Sequence, residues 1–335
     1  MSEQDTLRQL VADIVEAGTG DDASLWVRFE EAGLFDVGID EASGGSGGDI
    51  GDLAAIAEAT GHAGSSVPVV EFSTARWILA HADNMGDLTG TATAVLVDFG
   101  LDGLPAGDIV LDAVAGARTV DVVVICGADG RCSAVSTADP GVQVTSAAEL
   151  ASAVSDTVVI SVTADRRELA TTLDSATVVD RFAILRAAAL SGAIRGAYEL
   201  TRGYVRTREQ FGAPLIKLPA VASGIATIRT KVLESSAAVE AAVAATHQGD
   251  GAGSILALAS RVVTARCATD TARLAHQLHG AMGTTQEYPL HKLTTALWMW
   301  RDAELSEAGW SQRLGDRVVL EGEAAAWDGL EVGVR

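Results

Sequence analysis

Apolar residues recur at helical spacing in the first and last parts of this chain and fall into short β-branched runs in its middle. Between residues 5 and 79, Leu7, Leu10, Val11 and Ile14 repeat at intervals of three or four, and Trp26, Phe29 and Leu34 follow. That spacing predicts helices separated by glycine-rich turns. The stretch Ser43-Gly44-Gly45-Ser46-Gly47-Gly48 interrupts the region. It lacks the Gly-Lys-Ser/Thr ending of a phosphate loop and reads as a flexible connection between helices. Runs at 94–97, 119–126, 142–145 and 157–162, bounded by Gly and Asp, predict strands of a small β domain.

Long helical periodicity returns at about residue 178. Leu185, Ala189, Gly192, Gly196, Leu200 and Gly203 step by three or four, placing a stripe of small side chains along a helix of about 25 residues, or nearly 40 Å. Each glycine costs ~1 kcal/mol relative to alanine inside a helix, so three on one face predict close approach of another backbone or a ligand. A second helix is predicted over 254–278, stopped by His279-Gly280-Ala281-Met282-Gly283, whose glycines can supply the positive φ that ends a helix. A last helix carries Leu293, Leu297 and Trp300. The pattern divides the chain at 1–88, 89–175 and 176–335: a mainly α protein with a small central β domain.

Composition narrows the possibilities. The chain has 335 residues, 48% hydrophobic, with 4% aromatics, which favours helices packed through small side chains. Forty-five acidic against 24 basic residues give a net charge of −21, which repels a phosphate backbone and argues against nucleic acid as a partner. Cys126, Cys132 and Cys267 are odd in number and show no metal-ligand spacing, so neither a disulfide framework nor a zinc site is expected, and a reducing cytoplasm fits. The N-terminal residues lack the basic and apolar regions of an export signal, and no apolar run reaches the ~18 residues of a membrane span.

Against the acidic whole, Arg195, Arg202, Arg206, Arg208 and Lys217 face only Glu199 and Glu209 between positions 195 and 217. Arginine's planar fork suits a pyrophosphate; charge pairs along a solvated helix face are the plainer alternative. The wording of the segment, Tyr204-Val205-Arg206-Thr207-Arg208-Glu209-Gln210-Phe211-Gly212-Ala213-Pro214-Leu215, resembles the Tyr-x-x-x-Arg-x-Gln-Phe-Gly-x-Pro-Leu signature of acyl-CoA dehydrogenases. Gln277-Leu278-His279-Gly280-Ala281-Met282-Gly283, followed by Glu287-Tyr288-Pro289-Leu290, is similar to a second signature of that family. Trp26, Phe29, Leu34, the glycines at 44–47 and Glu58-Ala59-Thr60-Gly61 resemble its N-terminal helical domain. The resemblance implies an acyl-CoA dehydrogenase-like fold: an N-terminal helical domain, a reduced β domain and a C-terminal four-helix bundle. It also implies FAD at a subunit interface. By motif position, Arg208 would meet the FAD pyrophosphate, Gln210 and Phe211 the adenosine side, and Gln277, with Gly280 beside it, the phosphate-ribose region.

Departures from the family pattern matter equally. The region corresponding to the family's flavin-ring and thioester loop reads Val95-Leu96-Val97-Asp98-Phe99-Gly100, a Trp-Ile-Thr-like strand has no counterpart, and Ala281 replaces a glycine. The catalytic glutamate of the family falls on Glu304, but Leu305 and Ser306 stand where glycine and threonine are usual. Periodicity puts Leu293, Leu297, Trp300 and Glu304 on one helical face, because eleven residues turn through about 1100°, ~20° off alignment. A carboxylate on an apolar face has the raised pKa of a general base; an i,i+3 pair with Arg301 is the alternative. Asp180 and Glu199, in the helix where some members place the base, read as surface or packing residues. His276 and His279 lack a third ligand for a metal.

The resemblance thus implies a short subunit, like those of actinobacterial α2β2 acyl-CoA dehydrogenases of steroid side-chain β-oxidation. A second acyl-CoA dehydrogenase-like chain would supply most of the acyl-CoA pocket and the base, with electrons passing to an electron-transfer flavoprotein. A self-sufficient enzyme using Glu304 and a non-enzymatic scaffold are the alternatives.

Overall fold

A computed structural model describes residues 2–18, 22–101, 107–146, 155–246 and 252–322. The chain divides into two compact units, one formed by Met1–Ala17, Ala54–Ser65 and Ala183–Arg335, the other by Gly18–Leu53 and Ser66–Phe182.

Long helices dominate the first unit: α5 (Ser175–Thr207) from Ala183 onward, α6 (Pro219–Thr246), α7 (Ala252–His279) and α8 (Leu290–Arg301), with α9 (Glu307–Glu321) after them and α1 (Glu3–Glu16) at the other end of the sequence. Their core joins Leu190, Ile194 and Ala197 of α5 to Val232 of α6, Ala272 of α7 and Leu297 of α8, all under 4% exposed. This is the predicted helical bundle. The predicted stop after α7 is formed at Gly280, whose φ of +60° ends the helix. Gly283 serves packing instead, since a Cβ there would lie 3.0 Å from His279 Cβ and 3.1 Å from Leu290 Cδ2.

The glycine stripe is explained by a backbone. α3 (Ile50–His62) crosses α5 so closely that a Cβ on Gly192 would collide with the Glu58 carbonyl, one on Gly196 with the His62 carbonyl, and one on Gly61 with the Ala189 carbonyl. Glu58 reinforces the crossing by accepting from Arg195 Nη1 at 2.9 Å and Arg8 Nε at 3.0 Å. Gly203, on the same stripe, meets nothing within 4 Å. Gly192→Ala should therefore cost about 3 kcal/mol or more, whereas Gly203→Ala should gain ~1 kcal/mol from helix propensity. Urea denaturation of the two variants checks the contrast.

In the second unit, α2 (Asp22–Glu31) and α4 (Val69–Ala80) accompany two sheets. One has the order β1-β3-β4-β7 and the other β2-β6-β5, with β1 (Ala92–Leu96), β2 (Ile109–Ala115), β3 (Val122–Cys126), β4 (Cys132–Ser136), β5 (Val142–Ser146), β6 (Ser155–Ile160) and β7 (Arg167–Glu168). β1 and β3 are parallel; the other pairs in these sheets are antiparallel. Three strands of these sheets escape the sequence pattern, the two-residue β7 because it is too short to show alternation. β2 hides its alternation behind a register shift between Leu111 and Val114, where Ala113 adopts φ +57°, and β4 is Cys-Ser-Ala-Val-Ser, mostly small residues. The strand expected to begin at Thr119 begins at Val122, because Ala117–Thr119 form a 3-10 turn.

The glycine-rich segment is no slack connection. Gly38 N donates to Gly47 O at 2.8 Å, Gly47 N to Ile39 O at 2.9 Å and Gly45 N to Asp40 O at 3.0 Å. Positive φ at Gly44, Gly47 and Gly48 allows these closures, and a Cβ on Gly45 would strike Ile39. The segment expected to be flexible is a hydrogen-bonded loop.

Candidate functional site

The last turn of α5 delivers Arg208, whose N–H donates to Tyr204 O at 2.8 Å. The chain then folds into a hairpin of β8 (Glu209–Gln210) and β9 (Ala213–Pro214), pairing Glu209 with Pro214 and Gln210 with Ala213. Such a two-residue turn needs positive φ at both central positions. Gly212 meets that requirement at +79°; Phe211 meets it at +55°, with 87% of its surface exposed. A large aromatic ring held in the left-handed region and aimed at solvent costs ~1–2 kcal/mol and contributes no core.

The end of α7 closes against the last turn of α5 through aromatic packing. The Tyr204 ring stacks on His279 with centroids 4.4 Å apart and Tyr204 Oη donates to His279 O at 3.4 Å. His279 Nδ1 donates to Ala275 O at 2.8 Å, which leaves Nε2 to accept from Tyr288 Oη at 3.3 Å. Burial holds the His279 pKa below that of a free imidazole, consistent with a neutral ring in this role. His276 lies against Thr294 instead, 2.9 Å from Nε2 to Oγ1, and burial lowers its pKa too. Both histidines are thereby engaged in packing.

Between these elements lies a cleft of about 480 Å³. Arg208, Gln210, Gln277 and Gly280 line it, with apolar surface from Leu215, Val221 and Met282. Among the described residues, the side chains of Arg208, Gln210 and Gln277 have no hydrogen-bond or ion-pair partner. Of the expected intrahelical charge pairs, none forms around Arg208: Arg195 is held by Glu58, Glu199 by His62 at 2.9 Å, and Arg202, Arg206, Arg208 and Lys217 make no ion pair among the described residues. An unneutralised guanidinium flanked by two free carboxamides and an apolar wall suits a ligand with a phosphate and a flat, partly apolar body. Phe211 stands beside the cleft at the hairpin tip, not in its lining.

Glu304 lies elsewhere. α8 ends at Arg301, three residues short of it, so the single helical face expected to carry Leu293, Leu297, Trp300 and Glu304 is broken before the glutamate. Glu304 itself has φ +60° and a side chain 5% exposed. Its Oε1 accepts from Arg186 Nε at 2.9 Å and Nη2 at 2.7 Å, while Oε2 is 3.7 Å from Arg261 Nη2. Nor is Arg301 its partner, since Arg301 pairs with Asp302. Arg261 is fully buried; its Nη2 donates to the carbonyls of Trp300, Arg301 and Ala303 at 2.8–3.1 Å, which satisfies the frayed end of α8 and fixes the turn that presents Glu304. Burial draws the Arg261 pKa down to about 10 against the opposing pull of Glu304. The environment is two guanidinium groups, not the apolar face expected from periodicity. Neither arginine was legible as a partner, although each stands out as a lone charge in an apolar run, Ile-Leu-Arg-Ala-Ala and Leu-Ala-Ser-Arg-Val.

In the other unit, the segment Val95 to Gly100 is spent on its own core. Val97 is 8% exposed within the sheet cluster, Val95, Phe99 and Leu101 pack against that cluster, and Ala128 N donates to Phe99 O at 2.9 Å.

Comparison with known proteins places these features in context. Residues 175–308 match the model of the acyl-CoA dehydrogenase C-terminal domain and residues 3–86 that of the N-terminal domain. The chain is 26% identical over 309 residues to the acyl-CoA dehydrogenase IpdE2 of Mycolicibacterium smegmatis, covering 86% of this chain and 90% of that one. It is 31% identical over 101 residues to FadE28 of Mycobacterium tuberculosis, 30% of each chain. It also aligns at 26% identity over 304 residues with FadE34 of the same organism, 84% of this chain but 42% of that one. The alignments thus span less than half of FadE28 and of FadE34. Among solved structures, the fold superposes on the ChsE4-ChsE5 complex from Mycobacterium tuberculosis with TM-score 0.81 at 20% identity, covering 96% of this chain and 98% of that one. Butyryl-CoA dehydrogenase of Megasphaera elsdenii gives 0.81 at 14%, covering 95% and 98%. Among the described residues, no helix is long and apolar enough to cross a membrane.

Proposed function

The chain belongs to the acyl-CoA dehydrogenase family, and on that premise we propose that it is one subunit of a heteromeric FAD-dependent acyl-CoA dehydrogenase. In this reading it supplies the adenosine-diphosphate half of a flavin site whose redox ring rests mainly on a second, related chain. Arg208 carries the reading: a guanidinium without a counter-charge, in a cleft with Gln210 and Gln277 and below a phenylalanine pushed outward. The residues present fit the cofactor. Arg208 would neutralise the diphosphate, Gln210 and Gln277 would bond the ribose-phosphate edge, Gly280 would leave room for it, and Phe211 would cover the flat adenosine face. FAD, when bound, supplies the two-electron acceptor for α,β-desaturation of an acyl-CoA thioester.

The segment at Val95–Gly100 folds onto its own sheet and the Glu304 carboxylate is occupied by Arg186, which support assigning the ring cradle and the base to the partner. An α2β2 assembly in the cytoplasm, a steroid side-chain acyl-CoA as substrate and an electron-transfer flavoprotein as acceptor complete the proposal. The pairing in the ChsE4-ChsE5 complex lends it support by analogy of fold.

Flavin counting tests it. Coexpressed with a full-length acyl-CoA dehydrogenase, the purified complex should hold half a flavin per polypeptide, and this chain alone should be colourless. A yellow, stoichiometric FAD protein that bleaches with acyl-CoA on its own would establish the self-sufficient reading instead. The turn at Phe211 gives a sharper version. Phe211→Asn should stabilise the isolated chain by about 1 kcal/mol, seen as a higher urea midpoint, because Asn-Gly suits a turn with two positive φ angles. The same substitution should lower FAD retention in the complex. A ring that only decorated the surface would give the first effect without the second.

A further inference from the structure

Among the described residues, three arginines are buried, and two have acceptors: Arg186 is paired with Glu304, and Arg261 is shared by three carbonyls. Arg181, near the start of α5, has neither. It is 6% exposed, and its Nε and Nη2 are buried without any hydrogen-bond partner. Its guanidinium lies over the Trp77 ring of α4, 4.6 Å from the centroid. That contact supplies no hydrogen-bond acceptor, so Nε and Nη2 remain unpartnered. Nε and an adjacent Nη form the side-on fork that receives two oxygens of one carboxylate or phosphate. Gly38 borders the group: its φ is +82°, and a Cβ there would sit 3.6 and 3.7 Å from the two Nη atoms. A Cβ at those distances would make ordinary contact with the guanidinium, and it is the left-handed φ that favours glycine there. Burial also pulls the Arg181 pKa down to about 9. At neutral pH the group is nevertheless charged.

We propose that Arg181 is the receptor for an oxyanion, a carboxylate or phosphate group of a ligand, held side-on by Nε and Nη2 between Trp77 and Gly38. This site is separate from the Arg208 cleft and does not depend on the flavin reading. The desolvation that makes the empty site costly is what gives the bound oxyanion its attraction.

Thermal unfolding of the full-length chain at constant ionic strength and about pH 7 tests the assignment, with chloride exchanged for inorganic phosphate in one arm and for acetate in the other. The wild-type midpoint should rise by about 2–4 °C in at least one arm. A response to phosphate identifies a phosphate group as the ligand chemistry, and one to acetate a carboxylate. Phosphate also stabilises proteins without binding them, so the decisive quantity is the difference between wild type and Arg181→Met. Arg181→Met should lose the specific response and, in chloride, match or exceed the wild-type midpoint, because an uncompensated charge has been removed. Arg181→Lys, which keeps the charge without the fork, should retain only part of the response. A wild type indifferent to both anions, an equal response in Arg181→Met, or an Arg181→Met chain that is less stable than wild type or fails to fold would overturn the proposal.

Discussion

Arg208→Ala in the mixed complex is expected to weaken FAD binding by about 30- to 4000-fold, corresponding to roughly 2–5 kcal/mol for removing one member of a desolvated charge pair. The isolated chain should meanwhile unfold at the wild-type denaturant midpoint, because Arg208 is exposed and bonds to no side chain among the described residues. The combination separates a ligand contact from a folding contact. Arg208→Lys keeps the charge but loses the planar fork, so it should recover part of the affinity, and that part should fall as salt is raised. FAD content by absorbance, measured after gel filtration of each complex, reads all three variants. Unchanged FAD and unchanged turnover in Arg208→Ala would instead favour a scaffold subunit that touches no flavin.

Arg208 was legible in the sequence because its recognition is local. The helix that ends at Thr207, the hairpin over 209–214 and the free guanidinium lie within a few residues of one another, and the motif records all three. The glycine stripe was also legible, although only as a demand for close approach; which backbone approaches is a long-range fact, supplied by α3 at Glu58 and His62. Strand β2 was hidden for a different reason. A bulge between Leu111 and Val114 puts Asp112 and Ala113 out of alternation, so the pattern fails where the chain bends. Glu304 illustrates the same limit at a candidate site. Helical periodicity placed it correctly in sequence with Trp300, but the helix had already been terminated by Arg261, a residue 43 positions upstream whose guanidinium takes three carbonyls at the end of α8. Extrapolating a period beyond a cap set by a distant side chain gives a face that does not exist.

That geometry makes Glu304→Gln the most informative change in this chain. The substitution keeps shape but removes the anion between Arg186, 3% exposed at its side chain, and Arg261, fully buried. Breaking a buried pair by neutralising one partner costs about 3–5 kcal/mol, since the remaining cation stays desolvated. Chemical denaturation should show a loss of that size. Replacing both members with apolar residues, Arg186→Met with Glu304→Leu, should recover most of it, because Arg261 retains its three carbonyl acceptors. Catalysis should respond differently. If the base is on the partner chain, as proposed, any Glu304→Gln complex that remains folded should keep its turnover per bound flavin. A Glu304 that were itself the base would instead lose turnover per bound flavin without loss of FAD, on top of the stability loss its buried contacts dictate. The carboxylate must leave two Arg186 N–H donors before it can take a proton from a substrate. A stability phenotype without a turnover phenotype therefore follows from the same contacts that bury the group.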